Sequence, residues 1–264
     1  MATIEQVCGV LAPLAPLGLA ESWDNVGLLI GDRSAIVTKV MACLTVTPDV
    51  IDEAASEGVQ LIVAHHPLPF KPLAKITADS LTGSMVLRLI SSGIALYSAH
   101  TAFDSAIDGI NQQWCTALGV QAAEPLIEDA SNDCGAGRYG QLPEPMSQLA
   151  VVRAAAKAVG ATLPRMVGQP ERMVARVGFA CGSGGTFLGA ARRRGCDLLI
   201  SGEATFHTCL EARSSGIGLG LLGHYSSERF AMEQLAHRLS ELQPDLKIWP
   251  SRSENDPIIP VNPL

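Results

Sequence analysis

The sequence is poor in the features that mark several protein classes. Its seven cysteines are odd in number and include no C-x-x-C pair. We therefore predict no structural disulfides and a reducing compartment. No run reaches 18 uninterrupted apolar residues, and the N-terminal "LAPLAPLGLA" is broken by Pro13 and Pro16. We therefore expect no membrane span, no signal peptide and a cytoplasmic location.

Clustered positive charge is also scarce. The formal net charge is −7, and "RRR" at residues 192–194 is the one basic run. Three arginines before a glycine are typical of the solvated C-terminal end of a helix, where they complement the helix dipole. The charge balance argues against a nucleic-acid partner.

Alternating apolar and helical segments predict an α/β fold. Aromatic residues make up only 5% of a chain that contains 25 glycines and many small aliphatic residues, a mixture that lets helices pack closely on a sheet. Helical patterns separate the apolar runs by short links, which favours mainly parallel sheets flanked by helices. Buried strands are predicted at 39–46, 59–66, 94–100, 175–182, 196–203 and 217–225.

A change of composition divides the predicted elements into two groups. Residues 128–146 are rich in Asn, Asp, Gly and Pro, as expected of a linker with one short strand. We predict a first α/β half at 1–127 and a second at 147–264, with the C-terminal segment able to pack back on the first half.

The two halves resemble one another. "AASEGVQLIVAHH" (54–66) aligns with "ARRRGCDLLISGE" (191–203) at an offset of 137 residues, and "GIALYSAHTAFD" (93–104) corresponds to "GIGLGLLGHYSSE" (216–228). Both members of the second pair place an acid four positions after a histidine. We predict two related domains whose equivalent strand ends meet in one cleft.

Polar side chains with metal-binding capacity follow four of the predicted strands. In parallel sheets, ligands bind beyond the carboxyl ends of the strands. Consecutive strand residues point to opposite faces, so a double histidine can serve two neighbouring metals, with carboxylates bridging them. We predict that these residues form a two-metal site whose bridging acids are Asp104 and Glu228. The candidates are His65, His66, His100, Asp104, Glu203, His224 and Glu228.

Less specific interpretations stay open for several of these motifs. A histidine at a strand end is often an ordinary hydrogen-bonded residue. A Ser-His-Asp triad is disfavoured because no G-x-S-x-G elbow is present, and Cys209 with His207 is an alternative nucleophile that no other feature supports. "CGSGGTF" (181–187) either binds a phosphate through backbone N–H groups or is only a tight strand-to-helix turn. Trp23 is either a core anchor or a neighbour of the site.

Motifs along nearly the whole chain resemble those of the Nif-three-like proteins, often labelled GTP cyclohydrolase I type 2 homologues or dinuclear-metal-centre proteins. They occur here in the family's order, and together they are highly specific. The matching stretches are "SWDNVGLLIG" (22–31), "HHPLPFKPL" (65–73), "YSAHTAFD" (97–104), "GRYGQLPEP" (137–145), "DLLISGE" (197–203) and "GHYSSER" (223–229).

The resemblance implies a ligand set, a fold and an assembly. It implies two related α/β domains and a ring-shaped homohexamer of the family's short form, in which residues 128–146 hold no inserted domain. His100 and Glu203 match positions near the metals and become candidates for proton transfer. The family's asparagine-like position before the acid is occupied by Ala102 and Phe103 here. The residues implied to bind two divalent ions are His65, His66, Asp104, His224 and Glu228.

Two functions follow from this ligand set. The first is a metal-dependent hydrolase acting on a nucleotide or a phosphorylated small molecule, with GTP-cyclohydrolase-like ring opening as one version. The second is a non-enzymatic metal-binding or adaptor protein that works as a ring. Nitrogen and oxygen ligands without thiolate suit Zn²⁺, Fe²⁺, Mn²⁺ or Co²⁺.

Overall fold

The chain folds into two units in this computed structural model, which describes residues 2–129 and 134–259. Unit 1 comprises residues 2–103 and Ala231–Asn255, and unit 2 comprises Asp104–Phe230 and residues 256–259. Part of the predicted linker, residues 130–133, lies outside the described residues. The linker stays a prediction.

Unit 1 is built on a five-stranded sheet. The strand order is β15-β4-β5-β6-β2, in which the first four strands are parallel and β2 is antiparallel to β6. Its elements are β1 (Ala2–Thr3), α1 (Ile4–Leu14), a 3₁₀ turn (Leu17–Leu19), β2 (Gly27–Ile30), β3 (Ile36–Val37), β4 (Lys39–Cys43), α2 (Pro48–Glu57), β5 (Leu61–Ala64), α3 (Leu81–Ser91), β6 (Ala95–Ser98), the start of α4 (His100–Ser105), most of α9 (His224–Leu242) and β15 (Lys247–Pro250).

Unit 2 contains a six-stranded mixed sheet. The order is β11-β14-β13-β12-β10-β7, with β12, β13 and β14 parallel and the other pairs antiparallel. Its further elements are α5 (Ile110–Ala117), β7 (Gln121–Glu124), β8 (Ile127–Glu128), β9 (Gly135–Ala136), β10 (Arg138–Ser147), α6 (Gln148–Ala158), β11 (Arg165–Val167), β12 (Met173–Ala180), a 3₁₀ turn (Gly184–Phe187), α7 (Leu188–Arg193), β13 (Leu198–Ser201), α8 (Phe206–Ser215) and β14 (Gly218–Leu221).

The centre of each sheet has the same topology. Unit 1 runs β4-α2-β5-α3-β6, and unit 2 runs β12-α7-β13-α8-β14, with the three strands parallel and adjacent in both. Residues of β5, β6, β13 and β14 are buried throughout, as expected of parallel strands covered on both faces. The predicted α/β fold with related, mainly parallel sheet cores is confirmed.

Local sequence signals explain where the helices begin and end. In α2, the Thr47 hydroxyl accepts a hydrogen bond from the Val50 N–H, Pro48 occupies the first turn, and Gly58 ends the helix in the left-handed conformation, which glycine adopts without strain. Within residues 2–129 and 134–259, none of the helices has both the length and the apolar composition required to cross a membrane.

Candidate metal-binding residues

The parallel strands of unit 1 end in polar residues. Thr45 follows β4, His65 and His66 follow β5, and His100 follows β6 as the first residue of α4. The carboxyl ends of adjacent parallel strands lie along one edge of a sheet, which is where ligands bind in open α/β folds. The topology therefore brings together histidines that are up to 35 positions apart in the chain, between His65 and His100.

Three histidines of unit 1 form a cluster. One ring nitrogen from each of His65, His66 and His100 lies within 4.8 Å of the others, and the ring centroids are 5.1–5.6 Å apart. The N–H groups of His65 and His66 donate to the carbonyls of Cys43 and Leu44 over 2.9 and 2.8 Å. Since neutral imidazole binds Zn, Fe and Co well, the cluster is suited to a divalent ion.

Asp24 holds the ring of His100. Its side chain is fully buried, and its Oδ1 lies 2.7 Å from His100 Nδ1. Oδ2 accepts the Thr101 N–H at 3.1 Å and the Thr101 hydroxyl. Burial raises the pKa of Asp24, but hydrogen bonds from His100 and Thr101 outweigh it and bring the pKa to about 2. An ionised carboxylate only accepts, so Nδ1 carries the ring proton and Nε2 is the basic nitrogen.

Trp23 and Phe70 lie beside the same histidine. Each of their rings is 6.0 Å from that of His100, and they are 5.9 Å from each other. Trp23 is 58% exposed. It is therefore a neighbour of the histidine cluster and not an anchor of the core.

Thr45 holds the ring of His66 in a similar way. Its hydroxyl oxygen is 2.7 Å from His66 Nδ1, which leaves Nε2 as the other ring nitrogen. Metal-ligating histidines commonly have the remote nitrogen hydrogen-bonded to an oxygen, which fixes both tautomer and orientation. His66 and His100 both have this arrangement.

In unit 2, too, metal-capable side chains follow the parallel strands, and here most of them are carboxylates. Glu203 follows β13, and His224 follows β14 as the first residue of α9. Glu203 is hydrogen-bonded to His224 Nδ1, while Glu228, one helical turn further along, lies 3.1 Å from His224 Nε2. Hydrogen bonding to Glu228, together with the Glu203 contact, raises the pKa of His224 to about 9 despite burial.

Asp104 lies next to Cys181, the residue that follows β12. The Cys181 Sγ is 3.1 Å from Asp104 Oδ1. Asn111 joins the two residues, because its Oδ1 accepts the Cys181 N–H at 2.9 Å and its Nδ2 donates to the Asp104 carbonyl at 3.1 Å. Burial and the carboxylates of Asp104 and Glu228 raise the pKa of Cys181 well above its usual range. The sulfur is therefore a protonated donor to Asp104.

The glycine-rich turn at 181–187 supports the acids around it. The Gly182 N–H donates to Ser227 Oγ at 2.9 Å, and the Gly185 N–H donates to the Glu203 carbonyl at 3.1 Å. Gly182 has φ of +56°, and a Cβ at this position would overlap Glu228 Oε1. These two amides bind protein groups, which favours the tight-turn interpretation over phosphate binding.

The structure thus places the predicted residues in two sets. His65, His66 and His100 cluster in unit 1, while Glu203, His224 and Glu228 are joined in unit 2, where Asp104 contacts Cys181. Sequence reasoning missed the supporting residues. Thr45 and Cys181 could have been found by the strand-end rule, and Asp24 lies in a quoted motif, but nothing in the sequence singles out Asn111.

Comparison with known proteins gives matches along nearly the whole chain. A model of the Duf34/NIF3 (NGG1p interacting factor 3) family matches residues 2–257. A "GTP cyclohydrolase 1 type 2 homolog" of Clostridium perfringens is 33% identical over 96% of this chain and 98% of its own length, and a "NIF3-like protein 1" of Drosophila melanogaster is 32% identical over 95% and 87%. A crystal structure of a Bacillus cereus protein related to NIF3 superposes with a TM-score of 0.90 at 21% identity, covering 98% of this chain and 99% of that one. The last match concerns the fold alone.

Proposed function

From the premise that this chain belongs to the Duf34/NIF3 family, we propose that it binds two divalent metal ions and acts as a metal-dependent hydrolase. The substrate we propose is a nucleotide or a phosphorylated small molecule. The observation that carries the proposal is the adjacent pair His65 and His66 at one sheet edge, with His100 beside them and one ring nitrogen of each within 4.8 Å of the others. The proposed ligands are His65, His66, Asp104, His224 and Glu228.

The chemistry of these donors fits divalent transition metals. Imidazole nitrogens and carboxylate oxygens without thiolate suit Zn²⁺, Fe²⁺, Mn²⁺ or Co²⁺. When bound, such ions lower the pKa of water toward neutrality and polarise a phosphoryl or carbonyl oxygen. Glu228 is almost fully buried, at 3% exposure, and a buried carboxylate beside a histidine is favourable when a cation shares the charge.

Two residues outside the ligand set are proposed to transfer protons. His100 keeps the proton on Nδ1 against Asp24, so its Nε2 can accept a proton beside His65 and His66. Glu203, whose side chain is half-exposed, holds the Nδ1 proton of His224 and can exchange protons with solvent. We propose both as proton-transfer residues.

The enzyme proposal is tested by metal-dependent turnover. Chelator-treated protein is reloaded with Zn²⁺, Mn²⁺, Fe²⁺ or Co²⁺ and assayed against nucleoside phosphates, including GTP, and against simple phosphate monoesters. We expect turnover that requires metal and is abolished by Glu228→Gln. Glu241→Gln is the matched control, because Glu241 lies on the same helix with a half-exposed side chain and should leave turnover unchanged. Metal-loaded protein that turns over none of these substrates would contradict hydrolysis.

An adaptor role is the second candidate, favoured by one observation. The family is described as NGG1p interacting factor 3, a name that refers to an interaction and not to a reaction. In that case metal would be bound without turnover on any substrate in the panel.

We also propose a homohexameric ring, on the resemblance to the family. The chain mass is 27.7 kDa, so light scattering of the purified protein should give about six times this value. A monomeric mass at micromolar concentration would contradict the ring.

A further inference from the structure

Within unit 1, the carboxylates of Glu53 and Glu254 form hydrogen bonds that hold the segment following β15 in place. The Ser251 N–H extends the β15–β4 pairing by donating to the Ala42 carbonyl at 2.7 Å. Glu53 of α2 then accepts the Ser251 hydroxyl at 2.7 Å and the N–H groups of Arg252 and Ser253, each at 2.9 Å. The path of the chain is thereby fixed up to residue 253.

Glu254, the next residue, reaches the carboxyl end of β4. Its side chain is buried, and its two oxygens accept consecutive backbone amides, the Leu44 N–H at 2.9 Å and the Thr45 N–H at 2.5 Å. Hydrogen bonds from neutral donors to a carboxylate are stronger than those between neutral groups. Glu254 therefore fixes the conformation of the chain just beyond β4.

The same two residues hold His66. The Leu44 carbonyl accepts the His66 N–H at 2.8 Å, and the Thr45 hydroxyl oxygen is 2.7 Å from His66 Nδ1. Backbone and ring of His66 are thus both held by the segment that Glu254 fixes. Glu254 thus contacts Thr45, and Thr45 contacts the imidazole of His66. Glu254 is 210 positions from Leu44 in the sequence.

We propose that Glu254 is a positioning residue for His66, acting through Thr45. By fixing Thr45, it keeps the hydroxyl oxygen where it accepts the proton of His66 Nδ1, so that Nε2 is presented as the metal ligand. The predicted effect on metal affinity rests on the proposed metal binding. The His66 tautomer set by Glu254 and Thr45 can be measured in the metal-free chain. The C-terminal segment then contributes to the site from outside the ligand set.

The test measures Co²⁺ affinity by competition with a chromophoric chelator, and the His66 tautomer by ¹⁵N NMR of metal-free protein. Thr45→Val removes the hydroxyl at nearly constant shape and should weaken Co²⁺ binding by about 10–100-fold, the usual effect of losing an outer-shell partner. Thr45→Ser restores the hydroxyl and should stay within about twofold of the native protein. Glu254→Gln replaces one accepting oxygen by a donor and should weaken binding by at least about threefold.

Glu53→Gln is the matched control for a general loosening of the segment. Glu53 also accepts backbone amides of residues 252 and 253, but it lies on α2, and none of its recorded hydrogen bonds is to Thr45. We expect Glu53→Gln to lower stability while leaving Co²⁺ affinity and the His66 tautomer as in the native protein. If Glu254→Gln does not fold, Glu254→Asp keeps the charge with a shorter reach and should weaken Co²⁺ binding as well.

Each outcome decides between the inference and its alternative. Native-like affinity and an unchanged His66 tautomer in the Glu254 variants, or in Thr45→Val, would overturn it, as would an equal loss of affinity in Glu53→Gln. If the native chain binds no Co²⁺, the proposed metal function fails. In that event the tautomer shift in Thr45→Val and Glu254→Gln, absent in Glu53→Gln, still decides whether Glu254 positions His66.

Discussion

Histidine orientation is the feature on which the account depends at the scale of single residues. His66, His100 and His224 each have an oxygen at Nδ1, supplied by Thr45, Asp24 and Glu203. A hydrogen-bond partner at Nδ1 fixes the orientation of the ring, as it does in metal-ligating histidines. Each of these three candidate residues lies just after a strand and has its ring held by a neighbouring side chain.

Asp24→Asn should destabilise unit 1. The buried carboxylate accepts from His100, from the Thr101 backbone N–H and hydroxyl, and from the Asn25 backbone N–H. Asparagine keeps one accepting oxygen, and its NH₂ group cannot accept the bonds made by the other. We expect the free energy of unfolding of chelator-treated protein to fall by about 1–3 kcal/mol in urea denaturation. Asp32→Asn is the control, since Asp32 is exposed and bonds only to Ser34 among its recorded side-chain contacts. It should change stability by less than about 0.5 kcal/mol; an equal effect of the two substitutions would contradict the role given to Asp24.

Gly182→Ala should displace Glu228. Gly182 has φ of +56° and its missing Cβ would overlap the Glu228 carboxylate, whereas Gly93 has φ of +65° with nothing within 4 Å of the corresponding position. Both substitutions carry the backbone cost of about 1–2 kcal/mol for a left-handed alanine, but only Gly182→Ala also moves a predicted ligand. We expect metal content to fall in Gly182→Ala and to be native in Gly93→Ala. Loss of metal in both variants would point to general destabilisation instead.

Strand ends are the decisive feature at the scale of the elements. The runs that became β5, β6, β13 and β14 could be predicted because they are continuous apolar segments that end in polar residues or glycine. The same rule put His65, His66, Glu203 and His224 at the ends of predicted strands, and in the structure each lies just after a strand that is shorter than predicted. This prediction depends only on the fact that the residue after a buried parallel strand lies at the edge of the sheet.

Other strands could not be predicted because their sequences lack the continuous apolar run that marks a buried strand. β10 contains Pro143 and Pro145, so the sequence predicts only its first part as a strand. The pairing of β10 with β12 shifts register between Gln141 and Met146, where the two prolines lie. The segment "KIWP" of β15 carries Lys247 and Pro250 at its ends and lacks an apolar run. Its pairing with β4 is decided by tertiary contacts such as those of Glu53, which a single sequence does not encode locally.

Glu53 makes the attachment of β15 dependent on pH. Burial raises the pKa of Glu53, but hydrogen bonds from Ser251, Ser253, Trp249 and Arg252 outweigh it, so the pKa is below its ordinary value of 4.5. A depressed carboxyl pKa stabilises the folded state above the unfolded pKa, and that contribution disappears as pH falls through the folded value. The difference in unfolding free energy between native protein and Glu53→Gln should therefore be constant near neutral pH and shrink below about pH 4.5. A difference that grows on acidification would contradict the assignment.

At the scale of the whole molecule, the same three-stranded parallel core occurs in both units, and each delivers metal-capable side chains at its strand ends. Curated relatives match along nearly their full lengths, as the 98% coverage of the Clostridium perfringens protein illustrates. A sequence repeat at an offset of 137 residues anticipated this relation, because β5 and β13 differ by the same offset. The contact of Glu254 with Leu44 and Thr45 could not be predicted, because Glu254 lies 210 positions from Leu44 in the sequence.

Metal content per chain is the measurement that tests the central claim most directly. Untagged protein, purified without chelator and reloaded with Zn²⁺, Mn²⁺ or Fe²⁺, is analysed by plasma mass spectrometry beside His65→Ala and Glu228→Ala. The account predicts about two metal ions per chain in the native protein and a sharp loss in both variants. Well under one metal ion per native chain after reloading, or a content unchanged by both substitutions, would contradict it.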